Sequence, residues 1–454
     1  MGGAYSTTRS YLESINLTPE TIKIYANDGD NYDWDNSAEV TYRPDHNFRD
    51  VEIKPFERAS RPCETNNAAK TSTIHMKITI ETGDHKANWI YFESDQKDAF
   101  TIGDGVFAPV AIKEHYNPKG AKVPTIKLYQ VAFGDYNRYI VVPDSNPARW
   151  MEHLPDDTRL FDMLLPGTHD SGCIVDRGGT ALSWTQAADG STISDQLAAG
   201  IRVFDLRFRL KNGELITYHG IEDMNYAGVD IMNEIFKFLK SDKKEFVLAK
   251  IRAGADVAPK LWDAIKNSKY GDCKEMVFNA SMKGAKDWVN DGWPETLKDC
   301  RGKLVIQVED TLMTEFGGIR LPWWNDSTKD QTISSGNKDI RVQDEYKYTV
   351  GLHSQKWTSI SNLLKHQETG AGPRQMWYYN FLNASGRVFP NAWSNGSGVD
   401  WGMNRRLMAY WAENTYFTTG VMWLDYFREP MGMNALPVIM AAMNNKEIRD
   451  KYRK

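Results

Sequence analysis

The chain has no run of about eighteen apolar residues, which excludes a helix that spans a bilayer. It also lacks any excess of positive charge: 55 Lys and Arg stand against 60 Asp and Glu, so no basic field exists to draw in nucleic acid. Cysteine is scarce. Cys63, Cys173, Cys273 and Cys300 are widely and irregularly spaced, unlike a zinc site or a disulfide scaffold, and the spacing leaves a Cys273–Cys300 pair and four free thiols equally open. No low-complexity tract interrupts the chain. The first ten residues have neither a charged n-region nor an apolar h-region, so no secretory leader is expected, although Gly2 and Ser6 satisfy a short N-myristoylation pattern. What is present is 454 residues with 41% apolar and 12% aromatic side chains, enough for a large core and for two domains, or one large barrel with an appendage.

The hydrophobic period changes along the chain. In Thr73–Glu81, Ile74, Met76, Ile78 and Ile80 alternate with polar residues, the mark of a half-buried strand. Similar runs at Val51–Lys54, Trp89–Phe92, Thr101–Ile112 and Thr125–Phe133, parted by Asp, Asn, Gly and Pro clusters, predict a small β-sandwich over residues 1–145. Val142–Pro147 reads as a linker. From residue 146 to 454, eight strand-like runs (161–166, 201–209, 214–218, 245–251, 303–309, 339–343, 375–382 and 420–427) alternate with helical patterns, the clearest at Val229–Leu239 and others at Lys356–Lys365 and Met403–Ala412. The fold class expected is α/β, an irregular TIM barrel preceded by a smaller all-β domain, irregular because one strand joins the next by a tight turn at Asn212-Gly213.

Three stretches carry chemistry. Leu164-Leu165-Pro166-Gly167-Thr168-His169-Asp170-Ser171 presents His169 at the C-terminal end of a strand, where barrels hold their sites. In Val203-Phe204-Asp205-Leu206-Arg207-Phe208, Asp205 and Arg207 share one face of an otherwise apolar strand and need partners. Ile216-Thr217-Tyr218-His219-Gly220 puts a second histidine at a second strand end. A lone histidine is usually structural, and an Asp-x-Arg pair is as often a plain ion pair. Their coincidence at consecutive strand ends points to a single site instead.

In these motifs and their order the chain resembles the catalytic X domain of the phosphatidylinositol-specific phospholipase C family in its bacterial, metal-independent form. The likeness runs from about Leu160 to Tyr426, with Phe246–Lys250, Val342–Tyr346, Tyr379–Asn383 and Gly420–Tyr426 as its later motifs. The resemblance implies a PLC-like barrel that cleaves a phosphodiester by attack of the substrate's own neighbouring hydroxyl. His169 then matches the general base, His219 the general acid, and Arg207 the cation on the phosphoryl oxygens, because imidazole titrates near neutrality and a guanidinium bonds two oxygens at once. Asp425 matches the carboxylate that orients His169, while Asp170 and Asp205 hold Arg207 and the attacking hydroxyl. Lys250, Asp344 and Tyr346 match the groups that grip the inositol ring.

Arg207 stands where calcium-dependent members carry a carboxylate, so no cofactor is expected; a divalent ion held by Asp170, Asp205 and Glu222 is the alternative. One family position has no counterpart: the strand Lys303–Glu309 offers no arginine to the headgroup, and Gln307 or Glu309 faces that place. Trp323 and Trp324 suit a rim that contacts a phospholipid membrane surface. The expected protein is soluble and acts at that surface, with compartment and oligomeric state left open. Rival readings are a metal-dependent glycerophosphodiesterase or sphingomyelinase D-like barrel, and a membrane- or glycan-binding protein with a vestigial barrel.

Overall fold

A computed structural model of the protein describes residues 7–27, 51–66, 73–82, 89–97, 108–109, 112–116, 126–133, 136–175, 177–186, 191–278, 292–309, 317–335, 337–348, 352–368, 376–386, 389–397, 400–414, 419–428, 434–445 and 447. The chain divides into two compact units: Met1–Ser145 with Gly398–Asp400 and Arg405–Tyr416, and Asn146–Ser397 with Trp401–Asn404 and Phe417–Lys454.

The first unit holds two five-stranded sheets. One runs in the order Arg58–Asn66, Thr7–Asn16, Tyr136–Pro143, Ile126–Phe133, Ala108–Pro109; the other in the order Val51–Ile53, Ile22–Asn27, Thr73–Thr82, Trp89–Lys97, Ile112–Tyr116. All pairings are antiparallel except Thr7–Asn16 with Tyr136–Pro143. Between the first strands of the two sheets, the buried Asn16 amide donates to the carbonyls of Glu20, Ile53 and Lys54 while its oxygen accepts from Thr18. One side chain thus satisfies the backbone of the turn. The expected Thr101–Ile112 strand lies partly outside the described residues, and Ala108–Pro109 and Ile112–Tyr116 are what is seen of it. Gly2 and Ser6 also lie outside them.

The second unit is built around eight parallel strands: β1 (Leu164–Thr168), β2 (Val203–Lys211), β3 (Val247–Ala253), β4 (Leu304–Glu309), β5 (Ile319–Leu321), β6 (Lys338–Gln343), β7 (Met376–Phe381) and β8 (Gly420–Leu424). They lie side by side in chain order, and β8 returns to pair with β1. Among the described residues the ladder stays open between β5 and β6. There a short strand, Gln331–Ser335, runs antiparallel to β6, and the Ser335 hydroxyl donates to the Arg320 carbonyl of β5 at 2.6 Å. This corrects the sequence reading of the barrel strands. The run at 214–218 is one arm of an antiparallel hairpin, Glu214–His219 with Glu222–Ala227, that leaves β2, and the eighth parallel strand is β5, whose three residues are too few to show a period.

Helices cross between strands. Gly228–Ser241 buries Ile231, Met232, Ile235, Phe236 and Leu239, the stripe that its 3.6-residue spacing dictates. Inside the barrel the period is two. Leu165, Val203, Leu248, Val305, Val342, Tyr379, Phe381, Val421 and Trp423 face inward and form one apolar cluster. Gly167 belongs to that face because a Cβ there would stand 2.7 Å from Val421. Beneath the barrel the fully buried Arg202 bonds Glu245 through Nε at 2.8 Å and donates to the carbonyls of Leu197, Ile201 and Ala148, while the other Glu245 oxygen accepts from the Met151 N–H. The entering segment Pro147–His153 is pinned there.

Candidate active site

Continuing each inward row by one or two steps beyond the apolar layer gives the site. On β1 the row Leu165, Gly167 ends at His169; on β2 Val203 leads to Asp205 and Arg207; on β3 Leu248 leads to Lys250 and Arg252; on β4 Val305 and Gln307 lead to Glu309; past β6, β7 and β8 come Asp344, Asn383 and Asp425. His169, Glu309, Asp344, Asn383 and Asp425 are at or just past C-terminal strand ends, while Asp205, Arg207 and Lys250 lie within β2 and β3. Together with Trp323, Trp324, Tyr346 and the hairpin residue His219, most of them line a cavity of about 410 Å³.

Two backbone reversals aim the first of these groups. Asp170 and Tyr426, immediately after His169 and Asp425, adopt left-handed φ values of 44° and 45°, uncommon for non-glycine residues and concentrated at functional sites. Gly220, at φ 56°, turns the chain directly after His219. The turn behind His169 is locked. Ser171 Oγ donates to the Thr168 carbonyl and accepts from the Asp205 N–H, each at 2.8 Å, and Gln186 Nε2 donates to the His169 carbonyl at 2.7 Å.

Asp170 is the hub. Its Oδ2 lies 3.3 Å from His169 Nε2 and 3.3 Å from His219 Nε2, and its Oδ1 pairs with Arg207 Nε. Arg207 Nη2 reaches His169 Nε2 and Asp205 Oδ2, both at 3.2 Å. On the far side of the ring, His169 Nδ1 meets Asp425 Oδ1 at 3.0 Å. Burial works against a charged His169 ring, but the Asp170 and Asp425 carboxylates outweigh it and push the pKa up to about 9. Burial likewise opposes the Asp205 carboxylate, yet Lys250 at 2.7 Å and Arg207 hold it far below the usual range. Asp425 is raised by burial, against the pull of His169.

Lys250 stands beside Asp205 on the neighbouring strand, and Asp344 and Tyr346 follow β6. Lys250 also faces Glu309 at 3.5 Å and lies over the Trp324 ring. Asp344 accepts from Trp324 Nε1 at 2.9 Å; burial raises its carboxyl while that N–H partly offsets the rise. Tyr346 bonds Asp326, and its hydroxyl is pushed up to about 12 by burial and that carboxylate. The two tryptophans divide: Trp323 is exposed with Arg252 stacked on it at 4.2 Å, whereas Trp324 turns inward against Phe381. Of the two β4 candidates, Glu309 faces the cavity, pairing with Arg252 at 3.2 Å, and Gln307 is buried below it, accepting from the Tyr379 hydroxyl.

Oxygen and nitrogen donors of His169, Asp170 and Asp205 lie within 4.8 Å of one another, a grouping that can hold a cation. The Arg207 guanidinium bonds all three side chains and is that cation's equivalent. Glu222, the third carboxylate of the metal alternative, points elsewhere and accepts from Ser183 and from the Thr180 N–H. Cys273 and Cys300 are buried free thiols, so the pairing left open by their spacing is not formed. Sequence reasoning assigned no part to Arg252 or Asn383, although each is simply the next inward position past Lys250 and Phe381.

The chain is similar to bacterial 1-phosphatidylinositol phosphodiesterases. That of Staphylococcus aureus (strain Newman) is 23% identical over 291 residues, which is 62% of this chain and 88% of the relative. That of Listeria monocytogenes serovar 1/2a is 34% identical over 167 residues, 36% of this chain and 49% of the relative. A solved structure of phosphatidylinositol-specific phospholipase C from S. aureus covers 66% of this chain and 98% of its own at 20% identity, with a TM-score of 0.50. The second unit therefore has the irregular TIM-barrel fold of those enzymes. No protein-family model matches. Among the described residues no helix is long and apolar enough to cross a membrane.

Proposed function

We propose that the protein is a phospholipase C-type phosphodiesterase that cleaves phosphatidylinositol, or a phospholipid with a related hydroxylated headgroup, by internal phosphoryl transfer. The observation that carries this reading is the convergence of both imidazoles on one Asp170 oxygen, with Arg207 on the other. His169 Nε2 takes the proton of the headgroup hydroxyl next to the phosphate, its Nδ1–H held by Asp425. The new oxygen–phosphorus bond closes a cyclic phosphate as the bond to the diacylglycerol oxygen breaks, and His219 gives that oxygen a proton. Arg207 meets the charge that builds on the phosphoryl oxygens. Lys250 and Asp344 bond ring hydroxyls, and Tyr346 meets the ring with its face. The names of the relatives and the shared fold support the same activity.

A membrane surface is the partner this reading requires, and the cavity mouth suits one. Four exposed apolar side chains on four loops surround it: Leu182 and Trp323 line the cavity, Ile221 follows Gly220, and Phe389 precedes Pro390. Such a rim buries apolar area in the headgroup layer. Trp323→Ala is expected to weaken partitioning onto phosphatidylinositol-containing vesicles several-fold; unchanged partitioning in a sedimentation assay removes Trp323 from the contact. For the chemistry, His219→Ala is expected to lower turnover of phosphatidylinositol vesicles by about a thousandfold with the fold intact. A variant of normal activity overturns the assignment.

A further inference from the structure

Asn383 sits two residues beyond β7 and is 6% exposed. Its Nδ2 lies 3.5 Å from His169 Nε2, the ring nitrogen that faces the cavity, while its Oδ1 is buried with no hydrogen-bond partner in the protein. A buried amide oxygen left unpaired is costly and in native proteins calls for a reason. This one cannot be put down to slack. The Leu382 N–H donates to the Trp423 carbonyl at 2.9 Å and the Ser385 N–H to the Tyr346 carbonyl at 2.7 Å, so the segment carrying Asn383 is tied to β8 on one side and to the segment after β6 on the other. Phe381 beneath it stacks on Trp423 and meets the His169 ring edge-on.

We infer that Asn383 is a further catalytic residue, whose amide grips the attacking headgroup hydroxyl and a neighbouring one. An oxygen on the cavity side of Nδ2 and His169 Nε2, at about 2.8 Å from each, receives a hydrogen bond from the amide and directs its own proton at the base. That leaves a lone pair free for phosphorus. Oδ1, enclosed in this structure, turns with the amide toward the cavity to accept from the adjacent ring hydroxyl, which fixes the ring's rotation about the same point. Arg207 Nη2 and Asp170 Oδ2 occupy other approaches to Nε2, so the amide marks the side from which the hydroxyl comes. No proton leaves Asn383 in this step; it orients the transfer from hydroxyl to His169.

The inference rests on the proposed phosphodiesterase activity, and the test separates the two. Initial rates on phosphatidylinositol vesicles are measured for Asn383→Ala, Asn383→Asp and, as the reference for the underlying reading, His169→Ala. Asn383→Ala is expected to lose about 100-fold in kcat, with KM within threefold and an unchanged melting temperature. Asn383→Asp keeps an acceptor, loses the donor and sets a third carboxylate beside His169, so the acid limb of its pH–rate profile is expected to move to higher pH. A kcat for Asn383→Ala within threefold of wild type, or a loss confined to KM, overturns the role. If the alanine variant fails to fold, the near-isosteric aspartate variant decides, and a wild-type profile from it overturns the role equally. Full activity in His169→Ala would instead overturn the phosphodiesterase reading itself.

Discussion

Asp170 is the residue on which the electrostatics of the site turn. It is almost fully buried, and it shares one oxygen between two imidazoles while the other takes the Arg207 guanidinium. His169 consequently carries a carboxylate at each nitrogen, which is why its pKa rises to about 9 despite burial. A base must be neutral to act, so the kcat/KM of the free enzyme is expected to climb with pH through that value on its acid side. Removing a nearby negative charge makes the imidazolium less stable, which moves the limb to lower pH. Asp425→Asn is therefore expected to shift the limb downward and, because the amide no longer fixes the Nδ1–H tautomer, to lower the plateau by more than 100-fold. A limb that stays in place contradicts the source assigned to the shift.

At the level of elements, the alternation along each barrel strand explains both the core and the site. Alternate positions such as Leu165, Val203 and Val421 fill the interior, and the same rows end in His169, Arg207 and Asp425 at the mouth. Much of this is legible in the sequence, since a charge on an apolar strand, as at Asp205 and Arg207, has to face a partner. Asn383 is legible by the same rule, but a neutral amide past a strand end raises no alarm. The three-residue β5 is not legible, nor is the antiparallel role of Glu214–His219, because a period of two says nothing of strand direction. In the first unit, Thr7–Ile15 pairs with Arg58–Asn66 residue for residue while their sequences are too polar to alternate cleanly. The Arg202–Glu245 pair is the element-scale contact with the largest expected effect. Glu245→Ala leaves a buried guanidinium without its carboxylate and frees the Met151 N–H, and the cost expected from chemical denaturation is about 3–5 kcal/mol. A loss under about 1 kcal/mol would show that the backbone carbonyls around Arg202 suffice.

For the whole molecule, the barrel collects its polar groups at one end and surrounds them with apolar loop tips, which is the arrangement a lipid headgroup demands: a wet, charged pocket reached through a greasy mouth. Arg207 bridges His169, Asp170 and Asp205, where a cation would otherwise sit. The central claim is internal transfer driven by the two histidines and that guanidinium. Phosphorus NMR of phosphatidylinositol vesicles incubated with the protein in EDTA tests it most directly. The account predicts a five-membered cyclic phosphate as the first product from the wild-type chain and none from His169→Ala. A linear phosphomonoester as the first product, or activity that vanishes in EDTA and returns with magnesium or calcium, would contradict it.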